Sequence, residues 1–489
     1  MALMTAAQYE ESLRKMKFNL YLLGEKVASP VDHPIIRPSL NAVKMTYSLA
    51  HDPAHEELMT ATSSLTGRKI NRFAHLHQSA DDLVKKVKMQ RLLGQKTASC
   101  FQRCVGMDAI NAVESVTFEM DRELGTDYHA RFIDFVTMVQ DGDLTVDGAM
   151  TDPKGDRSLP PHKQADPDLF LRVVEKRADG IVVRGAKCHQ TGALNSHWIL
   201  VMPTISMGEE DAAYAVCFAA PADAAGITYI YGRQSCDTRK LEGGEIDTGN
   251  STFGGHESLV IFEDVFVPWK DVFMCGEYRF SGALVERFAG YHRQSYGGCK
   301  VGVGDVLIGA AALAAEYNGA AKASHVKDKL IEMVHLNETL YACGIACSAA
   351  GARTASGTYL IDMLLANVCK QNVTRFPYEI ARLAEDIAGG LFVTMPSEQD
   401  FRHPEIGPKL EKYLGGTTGV PTEHRMRILR LVENLTLGTA AVGYRTESMH
   451  GAGSPQAQRI MIARQGNLEG KKELAKKIAG IAGVDSVSQ

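Results

Sequence analysis

The chain has 489 residues, of which 45% are hydrophobic and 23% are charged, and its formal net charge at pH 7 is −5. This length and composition are typical of a globular protein with a large core and two or three domains. Acidic and basic residues are interspersed, so we expect no nucleic-acid-binding or membrane-binding surface.

The N-terminal residues and the cysteines indicate the cellular location of the protein. Residues 1–11 reach charge too early for a secretory signal, and no apolar run looks long enough to span a bilayer. The chain contains ten cysteines. Because disulfides are rare in reducing compartments, we expect a cytoplasmic protein whose cysteines pack in the core or bind ligands.

Residues 1–140 are predicted to form an N-terminal helical domain, with a clear helical pattern over Ala80–Leu93. The helical composition continues over Val84–Ala109. On one helix, Cys100 and Cys104 would project from the same face, about 5–6 Å apart. We therefore expect a single helix to present both thiols.

Residues 141–275 are predicted to form a middle β domain, because short apolar runs alternate with Gly, Asp and Pro. The strand candidates are Ile181–Val183, Ala213–Phe218 and Ser258–Phe262.

Two polar loops of this β domain are candidate flavin contacts. In the first, Thr151, Lys154, Asp156 and Arg157 combine turn residues with cations suited to a pyrophosphate. In the second, His189, Gln190 and Thr191 follow a strand and offer donors to the edge of an isoalloxazine ring. Ordinary polar turns are the alternative interpretation, and no glycine-rich Rossmann signature accompanies the loops.

Residues 276–489 return to helix and are predicted to form a C-terminal helical bundle, interrupted by a Gly- and Pro-rich loop over Ser397–Glu423. The predicted helices are Val303–Tyr317, Val326–Cys347, Tyr359–Lys370, Glu379–Ile387 and Arg425–Val442. The helix–sheet–helix order predicts an α+β fold that resembles the acyl-CoA dehydrogenase architecture, in which flavin lies between the β domain and the C-terminal helices. Fold alone does not fix function.

A second pair of candidate ligands, His292 and Cys299, lies in a less regular segment. We expect Gly297 and Gly298 to let the backbone approach a bulky group there. With Cys100 and Cys104, the pair offers three thiols and an imidazole to a metal centre. The flanking cations favour thiolates, the form that binds metal; they are Lys96, Arg103, Arg293 and Lys300.

The spacing of these four residues matches neither common zinc ribbons nor bacterial ferredoxins. On spacing alone, metal binding and simple packing of buried cysteines both stay open. Cys343 and Cys347 have the same four-residue spacing in an apolar run without a third ligand, and we interpret them as helix packing.

Five segments resemble the 4-hydroxybutyryl-CoA dehydratase family, within the wider 4-hydroxyphenylacetate 3-hydroxylase and acyl-CoA dehydrogenase-like flavoprotein superfamily. The resemblance runs nearly end to end, and the segments are Lys88–Cys100, Gly254–Glu257, Arg287–Lys300, Arg375–Glu379 and Tyr444–Pro455. Ser397–Glu423 looks shorter than its counterpart in the family, so we expect the entrance or the subunit contacts to differ there.

The resemblance implies a homotetramer that binds FAD and a [4Fe-4S] cluster, the latter through Cys100, Cys104, His292 and Cys299. The family dehydrates 4-hydroxybutyryl-CoA to crotonyl-CoA and isomerises vinylacetyl-CoA, in 4-aminobutyrate fermentation or in carbon fixation. The β-hydrogen of such a substrate is not acidic, so acid–base catalysis alone is insufficient. A radical route through a ketyl radical, with flavin as the one-electron partner and the cluster as Lewis acid, explains the two cofactors.

Roles for single residues follow from the same resemblance. His292 is the expected iron ligand and a candidate base, while Glu257 and Glu447 would transfer protons or orient the hydroxyl. Tyr296 would contact the leaving hydroxyl, and Lys300 would hold carbonyl or thiolate charge. The alternatives are an aromatic hydroxylase without a cluster and a structural zinc protein.

Overall fold

The computed structural model describes residues 3–481 of the chain. Residues 1–2 and 482–489, at the outer ends of the two terminal domains predicted above, lie outside the described residues. The N-terminal region is mainly helical, as predicted. Its helices are α1 (Ala6–Arg14), α2 (Arg37–Ala50), α3 (Glu56–Met59), α4 (Ala80–Thr97), α5 (Cys104–Leu124) and α6 (Tyr128–Gly142).

Most of the strands lie in the middle of the chain, in a six-stranded sheet of order β2-β1-β10-β11-β7-β6 and a four-stranded sheet of order β12-β9-β8-β5. Two small hairpins, β3-β4 and β13-β14, lie apart. The strands are β1 (Leu20–Leu22), β2 (Glu25–Val27), β3 (Thr60–Thr62), β4 (Lys69–Asn71), β5 (Val146–Ala149), β6 (Arg172–Lys176), β7 (Gly180–Thr191), β8 (Trp198–Val201), β9 (Val216–Pro221), β10 (Ile227–Tyr231), β11 (Glu257–Pro268), β12 (Val272–Cys275), β13 (Ala352–Arg353) and β14 (Tyr359–Leu360).

The C-terminal region is a helical bundle. Its helices are α7 (Ser281–Tyr317), α8 (Ser324–Ala349), α9 (Met363–Val373), α10 (Phe376–Ala388), α11 (Glu398–Arg402), α12 (Gly407–Tyr413), α13 (Thr422–Thr436), α14 (Glu447–His450), α15 (Pro455–Gln465) and α16 (Leu468–Ile478). A π-helical turn, Val442–Thr446, leads directly into α14. The helix–sheet–helix order is the α+β architecture predicted from the sequence, while the domain boundaries at 140/141 and 275/276 stay predictions.

The long helix α7 crosses the centre of the molecule and packs against α4, α5, α8, α9, α10 and α13. Its glycines allow this close packing: a Cβ on Gly302 would lie 2.2 Å from the carbonyl oxygen of Arg91, and one on Gly297 would lie 2.6 Å from Cα of Gly344. The segment His292–Lys300 is therefore regular helix, and its glycine pair faces neighbouring helices. Our expectation of an irregular segment that approaches a bulky group was wrong.

Helix α7 also corrects the statement that no apolar run could span a bilayer. By length and composition, Tyr278–Tyr317 is long and apolar enough to do so. Its most apolar window is 67% buried inside the protein. We interpret it as the core helix of the bundle.

Several predicted boundaries differ from the structure because local hydrogen bonds override composition. Helix α9 begins only at Met363, where the Asp362 side chain caps it, and Tyr359–Leu360 is strand. The strand predicted from Ala213 begins at Val216, after a 3₁₀ turn. The predicted loop Ser397–Glu423 contains α11 and α12 and runs into α13, which ends at Thr436 rather than near Val442.

Candidate active site

Helix α7 carries four of the candidate residues. His292, Tyr296 and Lys300 are spaced by four residues and lie on one face, with Cys299 beside them. The rings of His292 and Tyr296 meet edge to face with centroids 4.9 Å apart, and Lys300 Nζ lies 4.9 Å from the centre of the Tyr296 ring. These groups are therefore neighbours on a rigid element.

Cys100 and Cys104 do not share a helix. Helix α4 ends at Thr97, Ala98 and Gln102 adopt left-handed conformations, and α5 begins at Cys104. The Gln102 side chain donates to the carbonyl oxygen of Ser39 and accepts from the Asn195 amide, which holds this turn against the β region. The prediction of one continuous helix was wrong because these long-range hydrogen bonds reverse the chain between the two thiols.

The turn nevertheless brings the three cysteines together. The negative charge of Cys299 raises the pKa of Cys100, and Cys100 and Cys299 both raise the pKa of Cys104, so the three thiols are close together. Burial is the largest cause in all three, and the pKa of Cys299 rises to about 11. The expectation that neighbouring cations make these thiols acidic is not met in the protein alone, because burial outweighs charge.

Of the four predicted cations, Lys300 is the one that acts on the thiols, lowering the pKa of Cys100 and Cys299 against the effect of burial. Arg103 instead lies between the rings of Tyr47 and Phe73, 4.5 and 4.6 Å from their centres. Arg293 donates to the Asn367 side chain and the carbonyl oxygen of Ala452, away from the thiols.

Within residues 3–481, no three His, Cys, Asp or Glu side chains converge closely enough to bind a single metal ion. A single ion requires its donors around one point. The three thiols and His292 nevertheless share one neighbour, Tyr296. Burial, then Glu447 and the three cysteines, raises the pKa of Tyr296, and the His292 ring meets its ring edge to face.

Glu257 begins β11 and lies opposite Thr191, the last residue of β7. The Thr191 hydroxyl donates to Glu257 Oε1 at 2.6 Å. Burial, followed by the negative charge of Glu447, raises the pKa of Glu257 well above its ordinary value. These effects favour the protonated form of Glu257, and its position is fixed by the sheet.

Glu447 begins α14 and accepts a hydrogen bond from Lys300 Nζ at 2.7 Å. Lys300 also donates to the carbonyl oxygen of Gly443 in the π-helical turn. Although burial opposes ionisation, Lys300 and Glu257 lower the pKa of Glu447 below its ordinary value. The two glutamates are thus a neutral acid on the sheet and a carboxylate on the bundle.

A small pocket lies between these elements and is lined by Cys100, Glu257 and Glu447. Glycines form part of its wall: a Cβ on Gly255 or on Gly443 would lie 3.5 Å from Cβ of Cys100. The pocket therefore joins the sheet end, the turn before α5 and the C-terminal helices at one point.

The two candidate flavin segments also meet, but only the first is a loop. His189, Gln190 and Thr191 are the last residues of β7, so the prediction of a loop after a strand was wrong there. Cys188 N donates to the carbonyl oxygen of Thr151 at 2.7 Å, which fastens the loop to β7. Burial, then the charges of Lys154 and Arg157, lowers the pKa of His189, and the His189 ring lies 5.3 Å from that of His450. The loop and the end of β7 thus form a cluster of cations and imidazoles beside α14.

Two of the predicted flavin residues are engaged locally. Asp156 accepts hydrogen bonds from the backbone and hydroxyl of Ser158 in an exposed turn. The buried Gln190 amide donates to the carbonyl oxygen of Cys188 at 2.7 Å. Asp156 thus fits the alternative interpretation of an ordinary turn residue, while Gln190 is a strand residue with a local hydrogen bond.

Sequence reasoning missed several buried polar residues around the site. Asp108 Oδ2 lies 2.8 Å from Nδ1 of His292, and Lys86 donates to the other oxygen of Asp108. Lys370 Nζ lies 5.2 Å from the centre of the Tyr296 ring, and burial lowers its pKa to about 7. The available signal was a charged residue among apolar neighbours in a helix, as in Met107-Asp108-Ala109.

Comparison with known proteins places this geometry in a family. Profiles of the 4-hydroxyphenylacetate 3-hydroxylase N-terminal and C-terminal regions match residues 5–274 and 281–480. The chain is 68% identical, over 98% of its length and 100% of the relative, to the 4-hydroxybutyryl-CoA dehydratase/vinylacetyl-CoA-Δ-isomerase of Clostridium aminobutyricum. The chain belongs to the 4-hydroxybutyryl-CoA dehydratase family.

Solved structures agree. The oxygen-tolerant archaeal 4-hydroxybutyryl-CoA dehydratase from N. maritimus superposes with a TM-score of 0.97 at 61% identity, covering 100% of this chain and 97% of that one. The oxygenase component of 4-hydroxyphenylacetate 3-monooxygenase complexed with FAD superposes with a TM-score of 0.85 at 25% identity, covering 97% and 98% of the two chains. The predicted fold class, α+β and acyl-CoA dehydrogenase-like, is confirmed.

Proposed function

We propose that this enzyme dehydrates 4-hydroxybutyryl-CoA to crotonyl-CoA and isomerises vinylacetyl-CoA, with FAD and a [4Fe-4S] cluster as cofactors. The observation that carries the proposal is 68% identity, over 98% of the chain, to a relative with both activities. The buried side chains of Cys100, Glu257 and Glu447 around one small pocket support it, because a reaction with radical intermediates requires groups shielded from water.

The residues around this pocket fit a cluster. Three cysteines and a histidine form a donor set suited to iron, and all four lie around Tyr296, as the effect of the cysteines on its pKa and the contact of its ring with His292 indicate. Burial opposes free thiolates at all three cysteines, whereas iron would bind them as thiolates. Cys100, Cys104, Cys299 and His292 would hold the cluster, which when bound supplies a Lewis acid for the departing hydroxyl.

Residues of the loop Thr151–Arg157 and of the end of β7 fit the anionic part of FAD. Lys154 and Arg157 lie close enough that Arg157 lowers the pKa of Lys154, after the larger effect of burial. Because an anion beside both cations would offset their mutual repulsion, we propose that they bind the pyrophosphate. Thr151, His189 and Thr191 line the same region, with Thr191 directed to the catalytic glutamate. FAD supplies one-electron chemistry when bound.

The remaining residues would act as proton donor, proton acceptor and hydrogen-bond donor. Protonated Glu257, held by Thr191, would donate a proton, and Glu447, ionised beside Lys300, would accept one. Tyr296, between His292 and Lys300, would donate a hydrogen bond to the substrate oxygen. Lys300 would balance negative charge on the thioester or the thiolates.

The assembly and location remain part of the proposal. The exposed apolar side chains Leu468, Leu474 and Ile478 of α16 support association of subunits, and we propose a homotetramer. The ten cysteines all lie within residues 3–481, and none is paired in a disulfide there. This supports the reducing cytoplasm as the location.

Two alanine substitutions test the cluster ligands directly. We expect Cys299→Ala and His292→Ala to lose bound iron and crotonyl-CoA formation together. Cys343→Ala is the matched control, since Cys343 and Cys347 have the spacing of Cys100 and Cys104 but lie on α8. A Cys299→Ala protein with full iron and full turnover would refute the ligand assignment.

A further inference from the structure

The hydrogen bond between His292 and Asp108 determines which ring nitrogen of His292 carries the proton. Its Nδ1 lies 2.8 Å from Oδ2 of Asp108, and both residues are buried. A carboxylate can only accept hydrogen bonds, so a neutral imidazole in this position carries its proton on Nδ1. Nε2 is left with its lone pair, available to a metal or to a proton.

Lys86 holds Asp108 through the carboxylate oxygen that does not contact His292. The Lys86 and Asp108 side chains are both 0% exposed, and Lys86 Nζ donates to Oδ1 of Asp108 at 2.5 Å. Lys86 also donates to the Tyr291 carbonyl oxygen at 3.0 Å and to the Gln294 amide oxygen at 2.9 Å. The ammonium therefore uses its three protons, and it holds Oδ1 while Oδ2 faces His292.

We propose that Asp108, held by Lys86, is a positioning residue that fixes the tautomer and orientation of His292 so that Nε2 can bind the cluster. This inference rests on the proposed function. Carboxylates that accept from the second nitrogen of a metal-binding histidine raise metal affinity or activity by about 10–100-fold in other proteins. The arrangement joins α4, α5 and α7, so the rigid helices hold the ring.

Asp108→Asn tests the inference because Lys86 dictates how the new amide must lie. An ammonium has no acceptor, so the amide oxygen must face Lys86, which turns the NH₂ group towards Nδ1 of His292. Nδ1 must then accept, the ring proton moves to Nε2, and Nε2 cannot bind iron. We expect iron affinity in reconstitution to fall by about 10–100-fold and the electron paramagnetic resonance spectrum of the reduced cluster to change.

A second substitution that restores iron binding would distinguish a positioning role of Asp108 from a merely structural one. In the double variant Lys86→Met/Asp108→Asn the ammonium is gone, so the amide can turn round and accept from Nδ1–H. We expect this variant to recover most of the iron content and the wild-type spectrum. Asp211→Asn is the matched control, since Asp211 Oδ1 lies 2.7 Å from Nδ1 of His162, which is not a candidate ligand; it should retain iron, FAD and spectrum.

The outcomes distinguish the two proposals. If the wild-type protein binds iron and Asp108→Asn keeps the same affinity and spectrum, the positioning role is refuted and the proposed function stands. If Asp108→Asn loses iron and the double variant does not recover it, positioning through the tautomer is also refuted. A wild-type protein that binds no iron on reconstitution would overturn both proposals.

Discussion

Two fully buried aspartates, one in the helical bundle and one in the β region, behave in opposite ways. Asp108 on α5 accepts hydrogen bonds from Lys86, His292 and Ser295, and Lys86 and His292 lower its pKa although burial opposes this. Asp147 on β5 has no hydrogen-bond partner for either carboxyl oxygen among the described residues, and burial raises its pKa to about 7. Both aspartates are buried, so the cationic donors around Asp108 account for the opposite directions of the two pKa shifts.

The two glutamates of the candidate site repeat this contrast. Glu257, at the start of β11, accepts a hydrogen bond from the Thr191 hydroxyl. Glu447, in the helical bundle, accepts one from the Lys300 ammonium. The bundle places a cation beside Glu447, whereas Thr191 offers Glu257 only a hydroxyl, so one wall favours a neutral acid and the other a carboxylate. Identical substitutions should therefore have different effects on the two walls.

Glu257→Gln should have the largest effect on catalysis. The amide resembles the protonated acid in shape but cannot give up a proton, so kcat should fall by about 10²–10⁴-fold, while the thermal unfolding midpoint changes little. Crotonyl-CoA formation and FAD and iron content are measured on the same preparation. Unchanged turnover with intact cofactors would remove Glu257 from the chemistry.

Glu447→Gln should instead destabilise the fold as well as reduce turnover. The substitution leaves the buried Lys300 ammonium without its carboxylate, a loss that costs about 3–5 kcal/mol for buried ion pairs. Denaturant unfolding of the purified wild-type and variant proteins measures this loss in unfolding free energy. An unfolding free energy equal to that of Glu257→Gln would contradict the contrast between the two walls.

Asp147→Asn should stabilise the protein increasingly as the pH rises. The pKa of Asp147 rises from 3.8 to about 7 on folding, so its contribution to stability is complete below pH 4 and is lost between pH 4 and 7. Three pKa units correspond to about 4 kcal/mol. Unfolding free energies of both proteins at pH 5, 6, 7 and 8 should diverge up to pH 7 and then run parallel; a constant difference would show that Asp147 is not protonated.

Gly302→Ala tests the close helix packing that keeps water from the bundle charges. The new Cβ would lie 2.2 Å from the Arg91 carbonyl oxygen, so α4 and α7 must separate. Overpacking of this kind costs about 1–3 kcal/mol. Gly309→Ala on the same helix is the control, because no atom lies within 4 Å of its added Cβ; equal unfolding midpoints for the two variants would contradict the packing argument.

The sequence predicted the order of helices and strands because hydrophobic periodicity is a local signal, clear in α4 and in β7 and β11. It did not predict the turn between Cys100 and Cys104, since Gln102 forms its hydrogen bonds with residues remote in sequence, Ser39 and Asn195. The glycines of α7 were misinterpreted for a similar reason: their neighbours lie on α4 and α8.

For the candidate site, the sequence indicated the three cysteines, His292 and both glutamates, but not their partners. The hydrogen bond between Asp108 and His292 spans 184 positions of the chain. Spacing carries no information about such a pair. A charged side chain on the apolar face of a helix, as at Lys86 and Asp108, is the pattern from which these partners could have been suspected.

We propose that FAD and a [4Fe-4S] cluster bind at adjoining parts of one active site. The most direct test is the iron, sulfide and FAD content of anaerobically purified protein, with crotonyl-CoA formation from 4-hydroxybutyryl-CoA followed in the same sample. We predict about four irons and about one FAD per chain, with turnover. FAD without iron would contradict the account and favour the aromatic hydroxylase alternative, whereas both cofactors without turnover would contradict the assigned substrate.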